Sequence, residues 1–197
     1  MVGAAPSFSV VHLARTLFIL QEGKAGRKRL VVLLGVGEGS VRTIIKRLSG
    51  AGFLSSDQGG HSLSEKGRKA LSAMLKKFTQ PKDFSSSDIS DKKQSIVLVH
   101  GAAGRIRKGG VDERDVAVRA GADGAVILSF RQGKLRFPSD GFDAGRFPDL
   151  MLKLGSLDLS EGDVAVISFA CSSIKAEDAA LAVALELSPA SLLSEVA

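Results

Sequence analysis

The run Gly35-Val36-Gly37-Glu38-Gly39-Ser40-Val41-Arg42-Thr43-Ile44-Ile45-Lys46-Arg47-Leu48 admits few structures. Three glycines within five residues interrupt whatever precedes them. Behind them Val41, Ile45 and Leu48 fall at i, i+4 and i+7, with Ile44 alongside, so a helix here turns these four toward a core. Its other side carries Ser40, Arg42, Thr43, Lys46 and Arg47, with no carboxylate after Glu38. Gly35 suits the left-handed residue that ends a preceding helix. Gly37 and Gly39 leave the N-terminus of the next helix, with its dipole and free N–H groups, open to a phosphate. Two readings follow: a core helix with a solvated polar face, or a helix whose polar face meets a polyanion.

The charge distribution bears on that choice. Residues 1–80 hold 13 Lys/Arg against 4 Asp/Glu, a net +9, whereas residues 81–197 hold 14 against 17, a net −3. Such asymmetry points to a polyanionic partner for the first half and a different role for the second. No apolar run approaches the roughly 18 residues that span a membrane, and His12 and Arg15 break VVHLARTLFIL as a signal-peptide core. The single cysteine, Cys171, ends the apolar run DVAVISFAC and reads as a buried, inert thiol of a reducing cytoplasm. His12, His61 and His100 have no metal-ligand spacing with it, so no metal is expected.

Periodicity organises the first half. Apolar residues at 10, 13, 14, 17, 18 and 20 predict a helix over 8–21, closed by Gly23. A second helix is expected over 27–34, and a third from Glu38 to about Ser49, stopped by Gly50 and Gly52. FLSSDQGGHSL reads as a hairpin about Gly59-Gly60. Leu71, Met74, Leu75 and Phe78 mark an amphipathic helix over 64–78. TQPKDFSSSDISDKK, residues 79–93, lacks any hydrophobic period and reads as a linker.

The stretch "GRKRLVVLLGVGEGSVRTIIKRLSGAGFL", the hairpin "SSDQGGHSL" and the closing "SEKGRKAL" resemble the winged helix-turn-helix domain of bacterial and archaeal transcription regulators. The resemblance covers about residues 10–78, within a domain bounded at 8–78. It implies that Ser40, Arg42, Thr43, Lys46 and Arg47 read the major groove, supported by Arg27 and Lys28. The wing tip, with Gly59, Gly60 and His61, would then lie against the backbone or minor groove. Asp57 and the lack of a wing Lys or Arg depart from that pattern and put the wing's phosphate grip in doubt.

The second half, 94–190, shows strand 95–100, helix 112–120, a hairpin from AVILSF and KLRF, helix 147–154, strand 163–170 and a helix over 175–187. This β-α-β-β-α-β order with one extra helix predicts an α+β domain, ferredoxin-like among other arrangements. GGVDERDVAVRAGADGAVILSFRQGKLRFP resembles uncharacterised archaeal proteins that carry a domain of unknown function behind a winged helix. Asp115 and Arg119, at i, i+4, suggest a surface ion pair. The sharper alternative is that the glycine-rich loop GAAGRIRKGG, with Arg105, Arg107, Arg114, Asp115 and Arg119, holds a small anionic effector.

The loop lacks the GK[ST] ending of a P-loop, GEGSV is not a nucleophile elbow, and HExxH is missing. The resulting expectation is a cytoplasmic, sequence-specific transcriptional regulator, not an enzyme and without a cofactor. It would bind double-stranded DNA as a homodimer, with Leu71, Met74, Leu75 and Phe78 as one seam, and its C-terminal domain would sense a ligand, dimerise, or both. Two alternatives stand beside it: a non-catalytic adaptor of the transcription or replication machinery, and an enzyme with a fused winged helix.

Overall fold

A computed structural model describes residues 8–138, 144–188 and 193. The fold is mixed α+β, and the chain divides between Leu75 and Lys76 into two compact units. The first contains α1 (Val10–Gln21), α2 (Arg27–Leu34), α3 (Glu38–Gly50), the hairpin β1 (Leu54–Asp57) and β2 (Gly60–Leu63), and α4 (Glu65–Leu75). Its fully buried side chains include Leu13, Leu17, Leu30, Leu34, Ile44, Leu48 and Phe53, drawn from all three leading helices and the residue before β1. Arg15, itself buried, donates from Nη2 to the Leu33 carbonyl (3.1 Å), satisfying an acceptor in the last turn of α2 from within α1.

The junction between hairpin and α4 explains the Leu63-Ser64-Glu65-Lys66-Gly67 run. The Ser64 hydroxyl donates to the Gly52 carbonyl (2.6 Å) and accepts the Gly67 N–H (2.9 Å), while the Ser64 N–H donates to the Phe53 carbonyl (2.9 Å). This draws α4 so close that a Cβ on Gly67 would sit 2.1 Å from the Phe53 oxygen. Hydrogen at this position is a steric requirement.

The second unit holds β3 (Lys82–Phe84), β4 (Lys93–Val99), α5 (Val111–Arg119), β5 (Gly124–Arg131), β6 (Lys134–Arg136), α6 (Pro148–Gly155), β7 (Val164–Ala170) and α7 (Ser173–Leu187). The strands form one antiparallel sheet in the order β3-β4-β7-β5-β6. Strand alternation sends Ile96, Leu98, Leu128, Ala165 and Ile167 to one face, where they bury Leu150 and Leu154 of α6. α5 and α7 cover the opposite face, where the Ser168 hydroxyl donates to the Ala176 carbonyl. Across β5 and β7, Gly124 faces Phe169, and a Cβ there would lie 2.4 Å from the ring. The aromatic side chain covers a strand position that has none of its own.

Both crossovers are split. β7 separates β4 from β5, and β5 separates β6 from β7. The α+β class is therefore as expected, but the order differs from the ferredoxin-like one, in which the first and third of the four strands are central. Here β7 and β5, the fourth and second, are central, and β3 adds a fifth strand.

β3 corrects the linker expected over 79–93. Its residues Lys82, Asp83 and Phe84 pair with Ile96, Ser95 and Gln94. The serines behind it wrap around buried Gln94, whose amide accepts the Ser86 N–H (3.0 Å) and donates to the Ser86 carbonyl (2.9 Å). Asp88 accepts the Leu150 N–H at the start of α6 (2.9 Å). Polar side chains here satisfy backbone groups, so an ordered segment carries no hydrophobic period. Phe78 likewise leaves the expected helix: α4 stops at Leu75, and Phe78 bridges Val99 in the second unit. Of the expected seam, Leu71, Met74 and Phe78 are buried within the chain and Leu75 is half-buried. Cys171 is exposed rather than buried, because β7 ends at Ala170 and the chain turns toward α7 there.

Gly67→Ala should destabilise the fold by roughly 3 kcal/mol through overpacking. Gly39→Ala, where a Cβ meets nothing within 4 Å, should be neutral or stabilising by about 0.5 kcal/mol. Urea unfolding of both variants checks this; equal midpoints would remove the packing explanation.

Candidate nucleic-acid interface

The turn before α3 is made by one left-handed residue. Gly35 has φ +67° and donates its N–H to the Val31 carbonyl (3.0 Å), ending α2. Gly37 then enters α3 in an extended conformation, and no side chain caps that end. Added Cβ atoms at Gly37 and Gly39 would meet open space. Packing does not require glycine at these two positions, but glycine leaves the helix start bare.

Val41, Ile44 and Leu48 are completely buried, so the inner stripe runs i, i+3, i+7. Ile45, expected in that stripe, is only half-buried at its flank. Arg42 and Lys46 are exposed, while Ser40, Thr43 and Arg47 are half-buried. Thr43 donates its hydroxyl back to the Gly39 carbonyl (3.0 Å), and the Arg47 guanidinium stands 5.2 Å from the Phe8 ring centroid. Glu38 lies between two arginines, 3.3 Å from Arg27 Nη1 and 3.6 Å from Arg42 Nη2. Arg27, Lys28 and Arg29 are all exposed at the start of α2. The Glu38–Arg42 contact has the familiar i, i+4 spacing. The Arg27 contact depends on the α2–α3 turn and has no local sequence signal.

The hairpin closes with a two-residue turn, Gln58-Gly59, between paired Asp57 and Gly60. Asp57 accepts the Gly59 N–H (2.8 Å) and pairs with Lys24. The Lys24 and Gly59 hydrogen bonds hold its carboxyl below the ordinary aspartate range. The carboxylate that seemed to weaken the wing is therefore matched by a cation 33 residues earlier in the chain. Gly60, at φ +119°, lies where a Cβ would meet the Ala25 backbone at 2.9 Å. His61 and Ala25 exchange backbone hydrogen bonds of 3.0 Å in both directions, an isolated antiparallel bridge beside the hairpin. His61 is thus a strand residue, with its Nδ1 2.7 Å from the Ser56 hydroxyl. Burial, and then the charge of Arg27, push its pKa below the ordinary histidine value.

The three histidines are used separately. His12 Nδ1 accepts the Ser9 N–H (3.0 Å), His61 meets Ser56, and His100 meets Asp163 (3.3 Å).

In the second unit the candidate anion-binding residues have other work. Arg105 donates to the Leu187 carbonyl at the end of α7 (2.7 Å). Arg107 pairs with Glu186 (2.9 Å), and its backbone N–H donates to the buried carboxylate of Glu113 (3.2 Å). Both arginines staple the glycine-rich loop to the helices around it. Arg114, Asp115 and Arg119 are exposed on α5. Arg114 lines a cavity of about 270 Å³ with Phe137 and Phe147, and neither Arg105 nor Arg107 forms part of its wall.

Among the described residues, no helix is long and apolar enough to cross a membrane. No curated protein matches the chain. Residues 12–69 match the family described as PH0730-like, N-terminal domain. A solved structure, the hypothetical protein PH0730 from Pyrococcus horikoshii OT3, is 26% identical, with a TM-score of 0.78, across 97% of this chain and 100% of that one. These likenesses fit a two-domain archaeal protein. Residues 89–187, half of the chain, match the family described as Domain of unknown function (DUF4443), and the protein belongs to that family.

Proposed function

We propose that the protein is a sequence-specific DNA-binding transcriptional regulator whose first unit is a winged helix-turn-helix. The observation that carries this reading is the outward face of α3: Arg42 and Lys46 stand exposed over a fully buried stripe, directly after a one-residue left-handed turn. The element order α1, bridge at Ala25, α2, α3, hairpin, α4 supports the domain assignment.

In this reading α3 lies in the major groove, where the Arg42 guanidinium can take guanine O6 and N7 and Lys46 a base edge or phosphate. The cations at the start of α2 supply backbone contacts that fix register. In the wing Lys24 offsets Asp57, and burial disfavours the charged form of His61, so the wing contributes shape and backbone N–H groups. Glu38 gives the face its selectivity. Its carboxylate holds Arg27 and Arg42 in place and repels phosphates that approach without the correct bases. The second unit dimerises or senses a ligand. A two-fold dimer would set two recognition helices about 34 Å apart along the duplex.

Arg42 and Lys46 are the residues to remove, since Arg47 also packs on Phe8 and its loss would mix binding with stability. The Arg42→Ala, Lys46→Ala protein should bind an operator selected from random duplexes at least about tenfold more weakly, with its unfolding temperature unchanged. Retention equal to wild type in fluorescence anisotropy would count against direct readout. Wild-type affinity should fall by about 0.9 log unit per log unit of salt for each phosphate contact; a flat response would refute duplex binding.

Glu38→Gln should act in the opposite direction. Removing one repelled charge should raise affinity for unrelated duplexes about fivefold at low salt and narrow the ratio of specific to non-specific binding. An unchanged ratio would deny Glu38 a part in selectivity.

A further inference from the structure

We infer that the second unit carries a binding site for a small phosphorylated molecule, between the β5–β6 hairpin and the loop that begins α5. A cavity of about 290 Å³ is lined there by Arg131, Arg136, Ser129, Gly109, Ile106 and Phe137. Strand register explains how the two guanidiniums reach it. Ser129 lies opposite Arg136, and Arg131 opposite Lys134, so these four side chains leave one face of the sheet. Ile127 precedes Ser129 on that face, and a Cβ on Gly110 would lie 3.4 Å from the Ile127 Cβ. The start of α5 therefore passes over the sheet beside Ser129, walling a recess whose open side carries the arginines.

Charge sets the sign of the ligand. Arg136 donates to the neutral Oε1 of Gln132 (3.2 Å), and among the described residues neither Arg131 nor Arg136 pairs with a carboxylate. Their neighbours differ: Arg107 is matched by Glu186, and Lys108 by Asp112 at 3.1 Å. Two guanidiniums without a carboxylate partner among the described residues, beside the Ser129 hydroxyl that donates to the Arg136 carbonyl (3.4 Å), suit the oxygens of a phosphate, which each fork can grip in a bidentate manner. Ile106 and Phe137 provide an apolar wall, and the volume sits near the lower end of ligand pockets. The ligand class is accordingly a phosphate monoester with one compact apolar or ring-bearing body, of the size of a nucleoside monophosphate. The site gives chemical content to the sensing role proposed for this unit, but its occupancy does not depend on DNA binding.

Calorimetric titration of the full chain with AMP, inorganic phosphate and adenosine tests the site. AMP and phosphate should bind and adenosine should not. R131A/R136A should weaken AMP about 100-fold, as expected for two lost contacts to a charged group. Adenosine binding as tightly as AMP, or an unchanged AMP affinity in the variant, would overturn the proposal. Should the variant fail to fold, the wild-type amide resonances of Gly109 and Gly110 decide: shifts on adding phosphate uphold the site, and unmoved signals overturn it. If R131A/R136A, with no AMP present, loses duplex retention to the same degree, the recess belongs to a nucleic-acid backbone and the free-metabolite proposal falls. Failure of the wild type to bind duplex DNA would refute the regulator reading and leave the AMP titration intact.

Discussion

Three aliphatic side chains, Val41, Ile44 and Leu48, set the rotation of α3 by being wholly removed from water. Their burial is worth several kcal/mol at roughly 1.5–3 kcal/mol each. The polar contacts on the opposite side are individually small, because exposed ion pairs contribute about 0–1 kcal/mol. The outward presentation of Arg42 and Lys46 is thus a consequence of packing, and the cations can be spent on a partner without loss to the fold. The left-handed Gly35 does the complementary task. It ends α2 within one residue, so the bare start of α3 follows at once and Arg27 comes within reach of Glu38.

The hairpin is positioned by backbone contacts as much as by side chains. Gly67 lets α4 approach Phe53, Gly60 lets the hairpin approach Ala25, and the paired N–H and C=O groups of Ala25 and His61 fix register at that point. Two of these contacts exist only because a Cβ is missing. The second unit uses the same device once, where Gly124 gives its place to the Phe169 ring. Close backbone approach is a cheap way to fix geometry in short elements such as β1 and β2, whose four residues each bury little apolar surface.

Elements with a hydrophobic period were legible in the sequence. α2 has the expected limits, and α3, α5, α6 and β7 fall within a residue or two of theirs. Legibility failed where structure rests on polar or non-local bonds. β3 and the Ser86–Gln94 knot carry no apolar alternation, so they resembled a linker. The central positions of β5 and β7 could not be read either, because the same β-α-β-β-α-β order is compatible with several strand arrangements. At the candidate interface the residue types on α3 were readable from spacing. The partners that alter their meaning were not: Arg27 for Glu38, Lys24 for Asp57, Ala25 for His61. Each joins residues at least 11 positions apart, beyond the reach of helix or strand periodicity.

The same limit applies to charge. A count shows how many cations a segment has, but only geometry shows which are already engaged. In the glycine-rich loop Arg105 and Arg107 look free in sequence and are committed to α7 and to the carboxylates near it. Arg131 and Arg136, on an unremarkable hairpin, share a sheet face beside a recess without a carboxylate partner among the described residues. Arg107 must give up Glu186 before it can take a ligand. A guanidinium that is only hydrated, or braced by a neutral amide as Arg136 is by Gln132, exchanges water and keeps most of its Coulomb attraction for the anion. Net charge of −3 over residues 81–197 therefore does not exclude an anion site there, since binding responds to the local field in a recess rather than to the sum over the segment.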